Sequence, residues 1–260
     1  MVYFDEKLCV PKPEIPMVKN FETLVFKKDG GLGTIILNRP SVLNAYNTKM
    51  RDEFWEILNA IKVDDEISVI ILKGEGPRAF CTGADLTEFG TSPSPNIARQ
   101  IRFERAIWEL WISIPKPFIA CLHGFVIGSG LEMALLCDIR LASSDALFSL
   151  PETSLGMLPG AGGTQTIRRT TGLSEGLRIL ITSAQLDALE SQQLGIIHQV
   201  VEKDQLEMTS TRIARELLAK DQSLLRTIKL AVTEGTNLPL KQGLELESRL
   251  VAQTLASILS

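Results

Sequence analysis

Histidine is scarce in this chain: of 260 residues, only His123 and His198 carry an imidazole. The four cysteines, Cys9, Cys81, Cys121 and Cys137, are scattered without CxxC spacing. A Cys/His metal site is therefore not expected, and the thiols read as reduced core fillers. No run of about 18 apolar residues occurs, so no membrane span is expected. Basic residues are neither clustered nor in excess; the net charge is −4, which gives no footprint for nucleic acid. The first residues, Met1 to Glu6, lack the basic and apolar regions of a signal peptide and the arginines of a transit peptide. The expected location is cytoplasmic, or an organellar matrix if an import segment had been removed. A GxSxG nucleophile elbow is missing, as is the Lys-Ser/Thr ending of a phosphate-binding P-loop.

What is present is an ordinary globular balance, 45% hydrophobic and 22% charged, enough for one substantial core. Residues 1–20 hold Pro11, Pro13 and Pro16 and read as an irregular arm. Period-two runs at 23–26 and 34–38, joined by Asp29-Gly30-Gly31, predict a hairpin. Thr48 is expected to cap a helix whose apolar face is Met50, Phe54, Ile57, Leu58 and Ile61. Apolar runs at 68–72 and 118–122 predict buried strands, and 80–86 reads as a loop. Residues 91–96 are polar and proline-containing, and a long helix is expected from Ile97 to Ile114, stopped by Pro115 and Pro117. Strands follow at 139–142, 146–149 and 198–201, with Asp187 to Glu190 in the form of a capping box. From Asp204 onward the pattern is three helices. No internal repeat or low-complexity segment is evident.

Two acids stand in apolar surroundings. Glu132 follows Gly128-Ser129-Gly130 among Leu131, Met133, Ala134, Leu135 and Leu136. Glu152 follows Pro151 and precedes the glycine-rich stretch 159–164. A buried carboxylate is costly unless it is paired, and such positions often hold tuned acids or bases. Glycines at a strand-to-helix junction let a ligand approach the backbone, and a helix start offers unpaired N–H groups to an oxyanion. Gly83-Ala84-Asp85 repeats the theme, with Asp85 also suited to capping the next turn. The stretch 159–164 reads as backbone that leaves room for a site. His123, beside the glycine turn, reads as a packed, hydrogen-bonded residue.

Taken in order, these motifs resemble the crotonase superfamily, the enoyl-CoA hydratase/isomerase family. The resemblance rests on Leu37-Asn38-Arg39-Pro40 with Leu43-Asn44-Ala45, on 79–85, on Lys116-Pro117-Phe118-Ile119-Ala120, on 128–132 with Cys137-Asp138, and on Pro151-Glu152 with 156–165. It implies an α/β fold, a crotonase-like spiral of β-β-α turns over residues 1–200. A C-terminal helical region, 201–260, would build a homotrimer or a dimer of trimers. It implies an acyl-CoA thioester as substrate, no separate cofactor because coenzyme A belongs to the substrate, no metal, and no nucleic-acid or membrane partner. The thioester oxygen would be held by the N–H groups of Ala84 and Ser129. Ala45, Thr82, Gly83, Ala84, Asp85, Leu86, Thr87 and Gly128 would line the CoA and substrate path. Family members often carry a Lys or Arg near positions 41 and 87; this chain has Ser41 and Thr87.

Hydratases of the family keep glutamates at both acid–base positions, here Glu132 and Glu152. The leading expectation is hydration of a 2-enoyl-CoA to a 3-hydroxyacyl-CoA, a lyase reaction. The alternatives are a double-bond isomerase, a hydratase specialised for cyclic or branched acyl groups, and a non-catalytic crotonase-fold binding protein.

Overall fold

The protein is described by a computed structural model covering residues 21–91, 93–94, 96–97 and 104–259. The expected N-terminal arm, Cys9, and part of the segment expected to form a long helix after Ile97 lie outside the described residues. Within the described part, Asn96, Ile97 and Glu104 are helical and Ile107–Ile112 forms the short α2, which ends before Ile114.

The hairpin predicted from the glycine turn is β1 (Leu24–Asp29) against β2 (Leu32–Leu37), antiparallel with Leu24 opposite Leu37. Helix α1 (Thr48–Val63) follows. Its cap is Asn47, one residue before the expected Thr48: the Asn47 side chain accepts from Met50 N, while Thr48 N and Oγ1 both donate to Glu88. Met50, Phe54, Ile57, Leu58 and Ile61 are buried as their spacing required.

Two sheets then grow together. The first has the order β1-β2-β3-β5-β7-β10, with β3 (Val69–Gly74), β5 (Phe118–Leu122), β7 (Ile139–Ser143) and β10 (Gln199–Val201) parallel to β2. The second has the order β4-β6-β8-β9 and consists of very short strands: β4 (Ala79–Cys81), β6 (Phe125–Ile127), β8 (Leu147–Ser149) and β9 (Gln185–Leu186). Each central strand of the first sheet hands the chain to a strand of the second, β3 to β4, β5 to β6 and β7 to β8. Helix α3 (Ser129–Leu135) follows β6; α4 (Gly163–Thr171), α5 (Leu173–Thr182) and α6 (Ala188–Gln193) come after β8. This is the expected spiral of β-β-α turns, and the capping box at Asp187 and Glu190 is formed in full.

Strand β3 shows why its run is apolar throughout. Ile70 and Leu72 face the main core, where Trp111 packs between Phe54 and Phe118 with ring centroids 5.6 and 5.2 Å away. Val69 and Ile71 face the other way, into a second cluster with Leu206 and Ala214 of α7 (Leu206–Leu218). Burial on both faces leaves no room for polar alternation. Beyond α7 lie α8 (Gln222–Gly235) and α9 (Leu240–Leu259). No helix among the described residues is long and apolar enough to cross a membrane.

Candidate active site

The site residues sit where the three parallel strands of the second sheet end. β4 runs into Gly83-Ala84, β6 into Gly128-Ser129, and β8 into Pro151-Glu152. The lateral pairing of the strands therefore brings together three segments separated by more than forty and more than twenty positions.

Gly83 adopts φ +94°, a left-handed conformation that suits glycine, and its contacts leave little space for a side chain. A Cβ there would lie 3.2 Å from Ile127 O and 3.6 Å from Ser129 N. The Gly83–Ala84 peptide thus runs directly beside the start of α3. Neither Ala84 N–H nor Ser129 N–H donates a hydrogen bond among the described residues. The directions of both are fixed by the opposite edges of their peptides. Gly83 O accepts from Tyr46 N at 2.8 Å, and Gly128 O accepts from Glu132 N at 2.9 Å. A trans peptide directs its N–H away from its C=O, so each N–H faces away from those bonds. The N–H of Ser129 also carries the positive end of α3.

Glu132 is buried, 1% exposed, as its apolar neighbours implied. Its Oε1 accepts from Ala161 N at 2.8 Å and from Gly163 N at 2.7 Å. The glycine-rich stretch therefore does more than leave room: its backbone grips the carboxylate. Gly163 has to be small, because a Cβ would stand 2.9 Å from Glu132 Oε1. Nothing in the pattern of 159–164 pointed to this role, since backbone donors leave no residue-type signature.

Glu152 opens a short 3-10 turn, Glu152–Leu155, and is half-buried. Its Oε1 lies 2.9 Å from where a Cβ on Gly128 would be, which ties it to the same corner. Its Oε2 is buried without a hydrogen-bond partner. Burial raises its pKa above the ordinary carboxylate value, and the charge of Glu132 raises it further; its own backbone N–H partly offsets the two. The two acids are thus near enough to feel each other's charge, with unequal surroundings. Two donors hold one oxygen of Glu132, while Glu152 keeps an unpaired oxygen.

Ala45, Thr82, Gly83, Ala84 and Asp85 form one cluster. Thr82 N donates to Leu43 O, and Asp85 N donates to Tyr46 O. Asp85 caps the turn at Leu86, Thr87 and Glu88 by accepting from Thr87 N, as expected of it. Its carboxyl is held below the usual range by the Thr87 hydroxyl and by Arg39, against the cost of burial. Leu86 and Thr87 are exposed. His123 is hydrogen-bonded to Gly76 O at 2.7 Å, and burial lowers its pKa, consistent with a packed neutral ring. Cys81 is fully buried beneath the turn, and burial pushes its thiol up to about 12, so it stays protonated. Among the described residues no cluster of His, Cys, Asp and Glu has the makings of a metal site.

Two residues entered the sequence reading only as parts of a motif. Asn44 is wholly buried at φ +57°, and its side chain accepts from Arg39 N and donates to Glu75 O and Ala79 O. Arg39 donates to Ala45 O and to Asp85. Asparagine's tolerance of left-handed backbone was the one available signal for Asn44.

The enoyl-CoA hydratase/isomerase family matches residues 27–258. The chain is 31% identical over 225 residues to the short-chain-enoyl-CoA hydratase of Clostridium acetobutylicum, covering 86% of each chain. It is 33% identical over 235 residues to the mitochondrial methylglutaconyl-CoA hydratase of Mus musculus, covering 89% of this chain and 75% of that one. A crystal structure of an enoyl-CoA hydratase from Geobacillus kaustophilus superposes with a TM-score of 0.85 at 35% identity, covering 92% of this chain and 91% of the other. With the fold, the order of motifs and the matched span in agreement, the chain belongs to the enoyl-CoA hydratase/isomerase family and is a hydratase-like lyase.

Proposed function

We propose that the protein hydrates a 2-enoyl-CoA to the 3-hydroxyacyl-CoA, with Glu132 and Glu152 acting on one water beside the N–H groups of Ala84 and Ser129. The observation that carries this reading is the asymmetry of the two acids. Glu132 is gripped by two backbone N–H groups, whereas Glu152 has a raised pKa and an unpartnered oxygen. Two nearby carboxyls that share one proton divide the work, the proton residing on the group less favourable to charge. Here that group is Glu152.

The thioester oxygen accepts from Ala84 N–H and Ser129 N–H, which draws electron density from C3 and stabilises the enolate-like transition state. Water, oriented by both acids, adds its oxygen to C3 and gives a proton to the Glu132 carboxylate. The electron pair of the C2–C3 bond takes up the Glu152 proton at C2. The proton on Glu132 then returns to Glu152 by way of the next water, so the net change is addition of one water. Coenzyme A enters as part of the substrate, along the cluster formed by Ala45 and Thr82 to Thr87. A corner with one acid able to hold a proton and one held as carboxylate also suits movement of a double bond between positions, so 3-enoyl as well as 2-enoyl thioesters belong in the test.

The test is hydration of crotonyl-CoA by Glu132→Gln and Glu152→Gln, with a panel of 2-enoyl, 3-enoyl, branched and cyclic thioesters run on the unmutated enzyme. Each substitution is expected to lower kcat by about 100- to 10,000-fold with circular dichroism unchanged. Near-normal hydration by both variants would refute the two-acid mechanism.

A further inference from the structure

Ala84 N–H, the proposed oxyanion donor, stands at the end of a chain of peptide groups that begins at a cation. Arg39 Nη1 donates to Ala45 O at 2.6 Å. The same peptide presents Tyr46 N–H, which donates to Gly83 O at 2.8 Å. The next peptide presents Ala84 N–H. Both peptides are trans, so their dipoles point the same way, from the guanidinium toward the gap beside Ser129. Hydrogen bonds in series polarise one another, and a charge at the head of the series strengthens the last donor.

The local backbone is bent to make this chain. Leu43 and Asn44 are consecutive non-glycine residues in the left-handed region, at φ +56° and +57°. Asn44 holds the bend with three hydrogen bonds, one of them from Arg39 N. The bend presents Ala45 O to Arg39 and Tyr46 N to Gly83, and Asp85 N closes the register on Tyr46 O at 2.8 Å. Arg39 and Asp85 are both half-buried and pair at 2.9 Å, which fixes the cation beside Ala45 O.

We infer that Arg39 is a positioning residue for the reaction: through the Ala45–Tyr46 and Gly83–Ala84 peptides it aims Ala84 N–H at the substrate carbonyl and strengthens it as a donor. The inference rests on the proposed placing of the thioester oxygen at Ala84 and Ser129.

The experiment is infrared difference spectroscopy of butyryl-CoA, isotope-labelled at its thioester carbonyl and unable to react, bound to the full-length protein. The wild-type protein should lower the carbonyl stretching frequency. Arg39→Gln, which removes the charge and is too short to reach Ala45 O as Nη1 does, should lower it less, and Arg39→Lys, which restores the charge, should recover most of the difference. In hydration of crotonyl-CoA, kcat of Arg39→Gln should fall about tenfold or more while KM stays within about threefold, the signature of an interaction used in the transition state. A full frequency shift in Arg39→Gln, or equal losses in Arg39→Gln and Arg39→Lys, would overturn the inference. Asp85→Asn gives a second reading should Arg39→Gln fail to fold. It removes the counter-charge and leaves the cation, so the shift should equal or exceed the wild-type value, and a smaller shift would count against the relay. Absence of any shift in the wild-type protein would instead sink the placing of the oxyanion site.

Discussion

Glu152 carries a consequence for stability as well as for chemistry. Its folded-state pKa is raised, first by burial and then by Glu132. The folded protein therefore binds the proton more tightly than the unfolded chain does. This contribution favours folding fully below the ordinary carboxylate pKa, and it is lost as pH rises through the raised value. Glu152→Gln removes the titration and keeps the shape. The variant should accordingly gain on the wild-type protein in melting temperature only as pH rises through the raised value, with no gap below it, where both side chains are neutral. Thermal melts of both proteins between pH 4 and pH 8, on the order of the range spanned by carboxyl groups in proteins, would show it. A constant gap across that range would mean that Glu152 is not the titrating group. Both glutamates were legible in the sequence because acids among apolar residues break the pattern. Their unequal surroundings were not legible, since these depend on which backbone amides reach each one. The donors to Glu132 come from Ala161 and Gly163, about thirty positions away.

At the scale of elements, the long periodic segments were readable and the short ones that carry the site were not. Helix α1 and strands β2, β3 and β5 announced themselves by spacing or by apolar runs. Phe80 and Cys81 of β4 (Ala79–Cys81) were expected in a loop, and no strand was expected at β6 or β9. At two or three residues, such strands are below the length at which period-two alternation can be seen. They exist because neighbours in the second sheet complete their hydrogen bonds. The join between this sheet and α3 is tight at Gly130, where a Cβ would stand 2.4 Å from Cys81 O and 2.8 Å from Cys81 Cβ. A backbone oxygen cannot step aside as a flexible side chain can. Gly130→Ala should therefore cost about 1–3 kcal/mol, read as a lower urea midpoint. It should also reduce hydration more than the stability loss explains, because α3 carries both Ser129 and Glu132. An unchanged midpoint would show that α3 can slide on β4 without strain.

At the scale of the molecule, the last two helices are poorly covered by their own chain. α8 is anchored along one side: Lys229 Nζ donates to Lys116 O and to Asp138, each at 2.8 Å, and lies 5.2 Å from the centre of the Phe118 ring. It also presents Leu224, Ile228 and Val232, four residues apart in turn, at 45%, 51% and 65% exposure. α9 presents Leu240, Leu244, Val251 and Leu255 in the same manner, and Leu246 is its one buried hydrophobic residue among those described. Stripes at helical spacing that meet no core of their own call for a partner surface. The oligomer implied by the sequence resemblance, a trimer or a pair of trimers, would supply one from further copies of this chain. On that proposal, Ile228→Glu places a charge in an apolar contact while leaving Lys229 and its partners Lys116 and Asp138 in place. The variant should lose assembly, falling in light scattering from the mass of three or six chains toward that of one, while its circular dichroism stays native. Its activity should fall with dilution more steeply than that of the wild-type protein, because assembly equilibria follow protomer concentration. A variant of unchanged mass would move the assembly surface away from this stripe and leave the exposed face of α8 to another occupant.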